Sequence, residues 1–188
     1  FFNVSYFNTG NISTTELYKR TPFYVELDYD TLQTVGIKYV ISFIDNESFS
    51  LKTAERGCSV YDYSTNHNVG YVHIPESENV YRLGEWIDNG YNRFRIVLNN
   101  NYDPDTYKNS KLSFVINSKL ALAGQMSGLS ISQISKESSI IRLTLQGHEP
   151  QKITDYLNKL LEEYLERNLE QKNLVSENTV LFIDEQLV

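Results

Sequence analysis

Residues 136–187 read KESSIIRLTLQGHEPQKITDYLNKLLEEYLERNLEQKNLVSENTVLFIDEQL, and the fold turns on how this run divides. Ile140–Leu145 is a short apolar run closed by Gly147, which predicts a strand. No glycine follows Gly147 and no proline follows Pro150. Proline is tolerated in the first helical turn, so a helix is predicted from His148-Glu149-Pro150 to Gln186. At the standard rise it spans about 55 Å. A compact domain of this length has a radius of gyration of about 16 Å, so such a helix is expected to outrun its own domain and meet another surface.

The helix reads in two halves. Ile153, Tyr156, Leu157, Leu160, Leu161, Tyr164 and Leu165 recur at helical spacing, which predicts packing on a sheet with Leu157, Leu160 and Tyr164 buried. From Glu166 to Thr179 the apolar residues thin to Leu169, Leu174 and Val175. Glu163 and Arg167 stand in the favourable i,i+4 order. Spacing leaves two readings of this half open: a solvated helix, or one that meets a neighbouring subunit.

Upstream the signals are nearly all strand. FYVELDY (23–29) and IKYVISFI (37–44) alternate in period two, and Asp45-Asn46-Glu47 is a hairpin turn into FSLKT (49–53). CSVYDY (58–63), VGYVHI (69–74), YNRFRIVL (91–98) and KLSFVIN (111–117) are further strands, and Asn99–Pro104 is turn chemistry. Phe1–Phe7 is a short strand ahead of a polar piece, Gly10–Arg20. Many short strands at this spacing predict a small sandwich or partly closed barrel. Ser118–Gly128 fits either a short helix or a strand exit. Leu129–Ile134 and Ile140–Leu145 form two strands around the polar turn Ser135–Ser139.

Composition sets bounds. The 188 residues are 40% hydrophobic and 22% charged, an ordinary globular balance. A net charge of −7 disfavours sequence-independent binding to nucleic acid, which needs Lys and Arg to displace counterions. Cys58 is the single cysteine and has no partner for an internal disulfide; it reads as a half-buried strand residue. The three histidines, His67, His73 and His148, lack metal-ligand spacing, and no phosphate loop or nucleophile motif occurs. Asp28, Asp30, Asp62 and Glu85 supply carboxylates, yet nothing pairs one across a glycosidic bond from another. No catalytic residue, metal or cofactor is assigned. No run is long and apolar enough to span a bilayer. The chain opens on Phe1-Phe2 without an initiator Met and stops within a helical pattern, which predicts a segment of a longer protein.

Aromatics concentrate in the middle of the β region: Tyr61, Tyr63, Tyr71, Tyr81, Trp86 and Tyr91. Such residues chiefly make core and cross-strand pairs. The second reading is a glycan platform built on Tyr61, Tyr63, Tyr71, Trp86 and Tyr91.

The run Ile140–Pro150, then Leu157-Asn158, Tyr164, Asn168, Lys172, Leu181-Phe182 and Gln186-Leu187, resembles the extracytoplasmic domain of bacterial polysaccharide co-polymerases, the Wzz/Wzc chain-length determinants. It is most similar to the branch that carries a cytoplasmic tyrosine kinase. The likeness is ungapped over about fifty residues, and Lys136-Glu137-Ser138 extends it. Gln171 departs from it, since an Arg before the Lys is common there. Residues 23–98 are similar in element order to the β insertion of that branch. The resemblance implies an α+β fold, with 1–20 and 118–188 forming part of a membrane-proximal α/β layer and 21–117 an inserted antiparallel β domain. It implies a periplasmic segment of an inner-membrane protein that forms homo-oligomers. It also implies work with a polysaccharide polymerase and an outer-membrane export channel, on nascent capsular or exopolysaccharide. The candidate oligomer interface is Glu163, Arg167, Asn168, Glu170 and Lys172. The alternative is a glycan-binding β module without an assembly role.

Overall fold

The computed structural model describes residues 3–10, 12–100, 102–107, 110–135 and 140–186. The chain is α+β: 43% strand, mostly antiparallel, and 26% helix, the latter dominated by one long C-terminal element. It divides into two compact units, Phe1–Gly128 and Leu129–Val188.

In the first unit a six-stranded sheet runs in the order β2 (Thr14–Glu16), β1 (Val4–Thr9), β12 (Lys111–Ile116), β5 (Lys38–Phe43), β6 (Ser48–Thr53), β9 (Ser77–Arg82). Two three-stranded sheets accompany it. One is β10 (Trp86–Asp88), β11 (Arg93–Leu98), β3 (Phe23–Leu27); the other is β4 (Gln33–Val35), β7 (Arg56–Asp62), β8 (His67–Ile74). Every pairing is antiparallel. A four-residue helix, α1 (Pro104–Tyr107), precedes β12, and α2 (Lys119–Gln125) follows it. Within the ambiguous Ser118–Gly128, Lys119–Gln125 is therefore helical. Ser118 caps α2 by accepting the Ala121 N–H at 3.1 Å.

Alternation puts one side of each strand inward. Phe23, Val25 and Leu27 of β3, Tyr39 and Ile41 of β5, Phe94 and Ile96 of β11, and Leu112, Phe114 and Ile116 of β12 are all buried. Phe114 is the hub between sheets. Its ring stacks on Tyr39 at 5.0 Å and meets Phe94 edge-on at 5.7 Å and Phe23 at 6.1 Å. Two tyrosine hydroxyls bind backbone inside this core. Tyr6 accepts the Val25 N–H at 3.0 Å, and Tyr63 donates to the Asn117 carbonyl at 2.5 Å.

The domain division expected from the sequence is corrected here. Residues 1–20 do not stand apart from 21–117, because β1 pairs along its whole length with β12, from Val4↔Ile116 to Thr9↔Lys111, and β12 pairs with β5. The chain start and Lys111–Gly128 thus belong to the β unit, and the second unit begins at Leu129. Strands β2, β4, β9 and β10 were not foreseen: they are three residues long or largely polar. The expected strand residues Phe1 and Phe2 lie outside the described residues, as does most of the turn 135–139.

The second unit holds the hairpin β13 (Ser130–Gln133) with β14 (Ile141–Thr144), and the helix α3 (Pro150–Gln186) of 37 residues. Gly147 lets the entry loop approach α3, since a Cβ there would lie 2.9 Å from Ile153 Cδ1.

Burial pushes the Tyr39 phenol up to about 12, and raises Tyr6 and Tyr63 well beyond the ordinary tyrosine range. In the unfolded chain these groups ionise near pH 10. Their contribution is therefore full below about pH 10 and is lost as pH rises toward and through the folded values. Urea midpoints are expected to hold to pH 9 and fall progressively from about pH 10 upward. The fall should be shallower in Tyr39→Phe.

Candidate functional site

Two surfaces draw the functional residues together, a cleft in the β unit and the exposed face of α3. The cleft begins with a buried amide pair. Gln33 sits on β4 and Asn92 just before β11, and both are almost fully buried. The Asn92 side-chain N–H₂ donates to Gln33 Oε1 at 3.2 Å and to the Thr34 carbonyl at 3.0 Å. Its Oδ1 accepts from the Tyr39 hydroxyl at 3.0 Å and from the Thr34 hydroxyl. Gln33 Nε2 donates to the carbonyls of Asp28 and Arg93 at 2.8 and 3.0 Å, and to the Thr31 hydroxyl at 3.0 Å. Buried amides are costly unless paired, and here each donor and acceptor has a partner. The network fixes the β3–β4 loop and the β10–β11 turn against the core.

Above it lies a cleft of about 480 Å³, walled by Thr31 and Leu32, by Val69–Val72 of β8, and by Asp88 and Gly90–Arg93. Tyr91 is half-buried on one wall. Its N–H donates to Asn89 Oδ1 at 3.1 Å, and its carbonyl accepts the Thr34 N–H at 3.2 Å. Tyr71 on β8 is 72% exposed, yet its ring is laid over Gly57 of the neighbouring strand β7. A Cβ at Gly57 would fall 1.8 Å from the Tyr71 hydroxyl, so only glycine leaves room for the ring there. Arg93 Nη1 pairs with Asp28 Oδ2 at 3.2 Å, and Asp88 Oδ1 accepts the Gly90 N–H at 3.1 Å.

The five aromatic candidates separate. Tyr71 and Tyr91 line the cleft. Trp86 stands outside it, half-exposed, with the Arg95 guanidinium 5.0 Å and the Arg93 guanidinium 5.5 Å from its ring centroid. Tyr61 and Tyr63 are corrected: they are core residues, in edge contact with each other at 4.9 Å, and present no face to a ligand. Alternation along β7 turns them inward after the bulge between Val60 and Tyr61. Sequence reading missed Asp88, Arg93 and the Gln33–Asn92 pair. The turn residues Asp88-Asn89-Gly90 directly before Tyr91 were the available signal.

Other candidate chemistry is accounted for locally. Asp62 accepts from the Ser64 hydroxyl and N–H, which holds its carboxyl below the usual range. Cys58 is buried, and burial pushes its thiol up. His73 Nε2 lies 2.7 Å from Glu55 Oε1. Among the described residues, no three His, Cys, Asp or Glu side chains converge as a metal site.

On α3 the burial expected for Leu157, Leu160 and Tyr164 is not met. Leu157 and Leu160 are half-buried, and Tyr164 is 60% exposed. Beyond it Leu165, Leu169, Leu174, Val175, Val180 and Phe182 also face solvent. Of the interface candidates, Glu163, Arg167, Glu170 and Lys172 are exposed and Asn168 is half-buried. The expected Glu163–Arg167 pair is replaced by Lys159, whose Nζ lies 3.4 Å from Glu163 and 3.3 Å from Glu162. No described helix is long and apolar enough to cross a membrane.

Compared with known proteins, the chain matches no family model and no curated sequence.

Three substitutions test these placements. Asn92→Ala strips partners from Tyr39, Thr34 and Gln33 at once, and each buried group left unpaired costs about 1–3 kcal/mol. A loss of about 2–4 kcal/mol is expected in urea unfolding, with the denaturant slope unchanged. Leu160→Ala, at a half-buried position, should cost less than the 2–5 kcal/mol of a fully buried leucine, about 1–2 kcal/mol. Tyr164→Ala should leave the far-UV melt within about 0.5 kcal/mol of wild type.

Proposed function

We propose that this chain is the extracytoplasmic part of an inner-membrane polysaccharide co-polymerase, an assembly module for the chain-length control and export of capsular or exopolysaccharide. The resemblance of residues 140–187 to that family selects the class. One structural observation carries the reading. Leu161, Tyr164, Asn168, Gln171 and Val175 follow one another at spacings of three and four, with Phe182 seven residues on, and this seam stays on the surface of α3. Apolar residues at coiled-coil spacing left open to water are a surface suited to another helix. Asn168 and Gln171 lower the strength of such a seam and favour one register, as polar residues at these positions do. Arg167 precedes Asn168 and Lys172 follows Gln171, so at 100° per residue the two cations flank the seam on opposite sides.

In this reading the module sits in the periplasm and acts as a scaffold. Copies of the full protein associate through α3, weakly in the isolated segment and firmly when membrane anchoring raises their local concentration. A polymerase, an outer-membrane channel and a cytoplasmic tyrosine kinase are the partners that the resemblance supplies.

Arg167→Glu combined with Lys172→Glu should leave the circular dichroism of the segment unchanged, since exposed charges contribute about 0–1 kcal/mol. In the full-length protein the same pair should diminish the crosslinked oligomer and shift the length distribution of exported polysaccharide on gels. Wild-type crosslinks together with wild-type chain lengths would remove α3 from the interface.

A further inference from the structure

We propose that Asn89 is a site of spontaneous deamidation, and that closure of the β10–β11 turn controls when it reacts. Asn89-Gly90 is the one Asn-Gly step in the sequence. Glycine after asparagine leaves no side chain to shield the backbone nitrogen that attacks. The step sits in an open place: Gly90 is exposed, Asn89 is half-buried, and a Cβ built on Gly90 would meet nothing within 4 Å. Gly90 holds φ at +76°, a conformation that other residues rarely adopt, so the turn itself calls for the glycine.

The chemistry needs only water. The Gly90 nitrogen attacks Asn89 Cγ and a C–N bond forms. The side-chain nitrogen leaves as ammonia, taking the proton that Gly90 gives up. Water then opens the resulting cyclic imide. Breaking the new C–N bond gives aspartate at 89. Breaking the original peptide bond gives isoaspartate, in which the main chain runs through the former side chain.

Hydrogen bonds oppose the attack while the turn is closed. The Gly90 N–H donates to Asp88 Oδ1 at 3.1 Å. That bond ties down the proton the nucleophile must lose, and sets a carboxylate where the nitrogen would become anionic. Asn89 Oδ1 accepts the N–H groups of Tyr91 at 3.1 Å and Asn92 at 2.8 Å, which hold the side chain over the turn. The Asn89 N–H reaches the Asn92 carbonyl at 3.3 Å. Asp88 stands across from Arg93, so the loop has only residues 89–92 in which to move. Swinging Cγ onto the Gly90 nitrogen breaks these bonds, and the reaction proceeds through the locally opened turn.

The consequence reaches the core. Aspartate at 89 still offers an oxygen to both N–H groups. Isoaspartate lengthens the main chain of a tight loop and carries Asn92 with it. Asn92 bonds Gln33, Thr34 and Tyr39, so a passing opening of the turn becomes a permanent change in the buried amide network.

The test incubates the whole chain at one neutral pH, in buffer and in guanidinium chloride, and follows amide-to-acid conversion by peptide mass spectrometry. In denaturant Asn89 is expected to convert ahead of every other asparagine. In buffer it should convert at least about ten-fold more slowly. Asp88→Ala, with its fold checked by the amide spectrum, should speed conversion in buffer at least about three-fold. Chains converted in denaturant and returned to buffer should separate into two forms. The aspartate form should keep the wild-type amide positions of Gln33, Thr34 and Tyr39, and the isoaspartate form should displace them. Equal rates in buffer and denaturant, a wild-type rate in folded Asp88→Ala, or an isoaspartate form with those amides unmoved overturns the proposal. If Asp88→Ala does not fold, the wild-type comparison between buffer and denaturant decides by itself.

Discussion

The hydrogen bond from the Asn92 amide to Gln33 is the contact on which the geometry of the β unit depends. It joins three sheets at one point. Gln33 belongs to the β4-β7-β8 sheet, Asn92 leads into β11, and Asn92 Oδ1 is held by Tyr39 of the six-stranded sheet. A hydrophobic core alone tolerates small slips between layers, because apolar contact has no preferred direction. A buried amide does not: a shift that opens any of these bonds strands a polar group in a low-dielectric interior. The aromatic hub at Phe114 supplies cohesion, and the amide pair supplies registry. Tyr91, Asn92 and Arg93 all line the cleft, so the same bonds that order the core also set that surface.

The second unit is built on the opposite logic. Its hairpin is four residues a side, and α3 buries few of its apolar side chains. A helix of 37 residues is long enough for local hydrogen bonding, favourable charge spacing such as Lys159 with Glu163, and an interior without glycine or proline to sustain it. Among the described residues nothing covers Leu165, Leu169, Val175 and Phe182, which are exposed. Each exposed leucine or valine is unremarkable alone, but the run of them on one element is not.

Legibility in the sequence followed periodicity. Strands β3, β5, β7, β8, β11 and β12 were readable because their apolar residues alternate, and α3 because glycine and proline stop at its first turn. Gln33-Thr34-Val35 was not readable: all three residues are buried, two of them polar, so no alternation exists to detect. Ser77–Arg82 is an edge strand with a mostly solvated, polar sequence, as edges commonly have. The pairing of β1 with β12 left no local trace at all, and the expected domain boundary failed there. The stripe on α3 was correctly periodic, but periodicity shows which residues share a face, not whether anything covers it. Within the cleft Tyr71 and Tyr91 were named from the sequence, while the inward turn of Tyr61 and Tyr63 followed from a bulge that no spacing rule reveals.

On α3 apolar area is left open to water, yet the run of it is interrupted by Asn168 and Gln171, and long side chains would have to be ordered along any contact made there. Such a contact is weak by itself. A tethered second contact forms at an effective concentration set by the tether rather than by the bulk, so copies linked elsewhere would associate through a surface that leaves isolated copies apart.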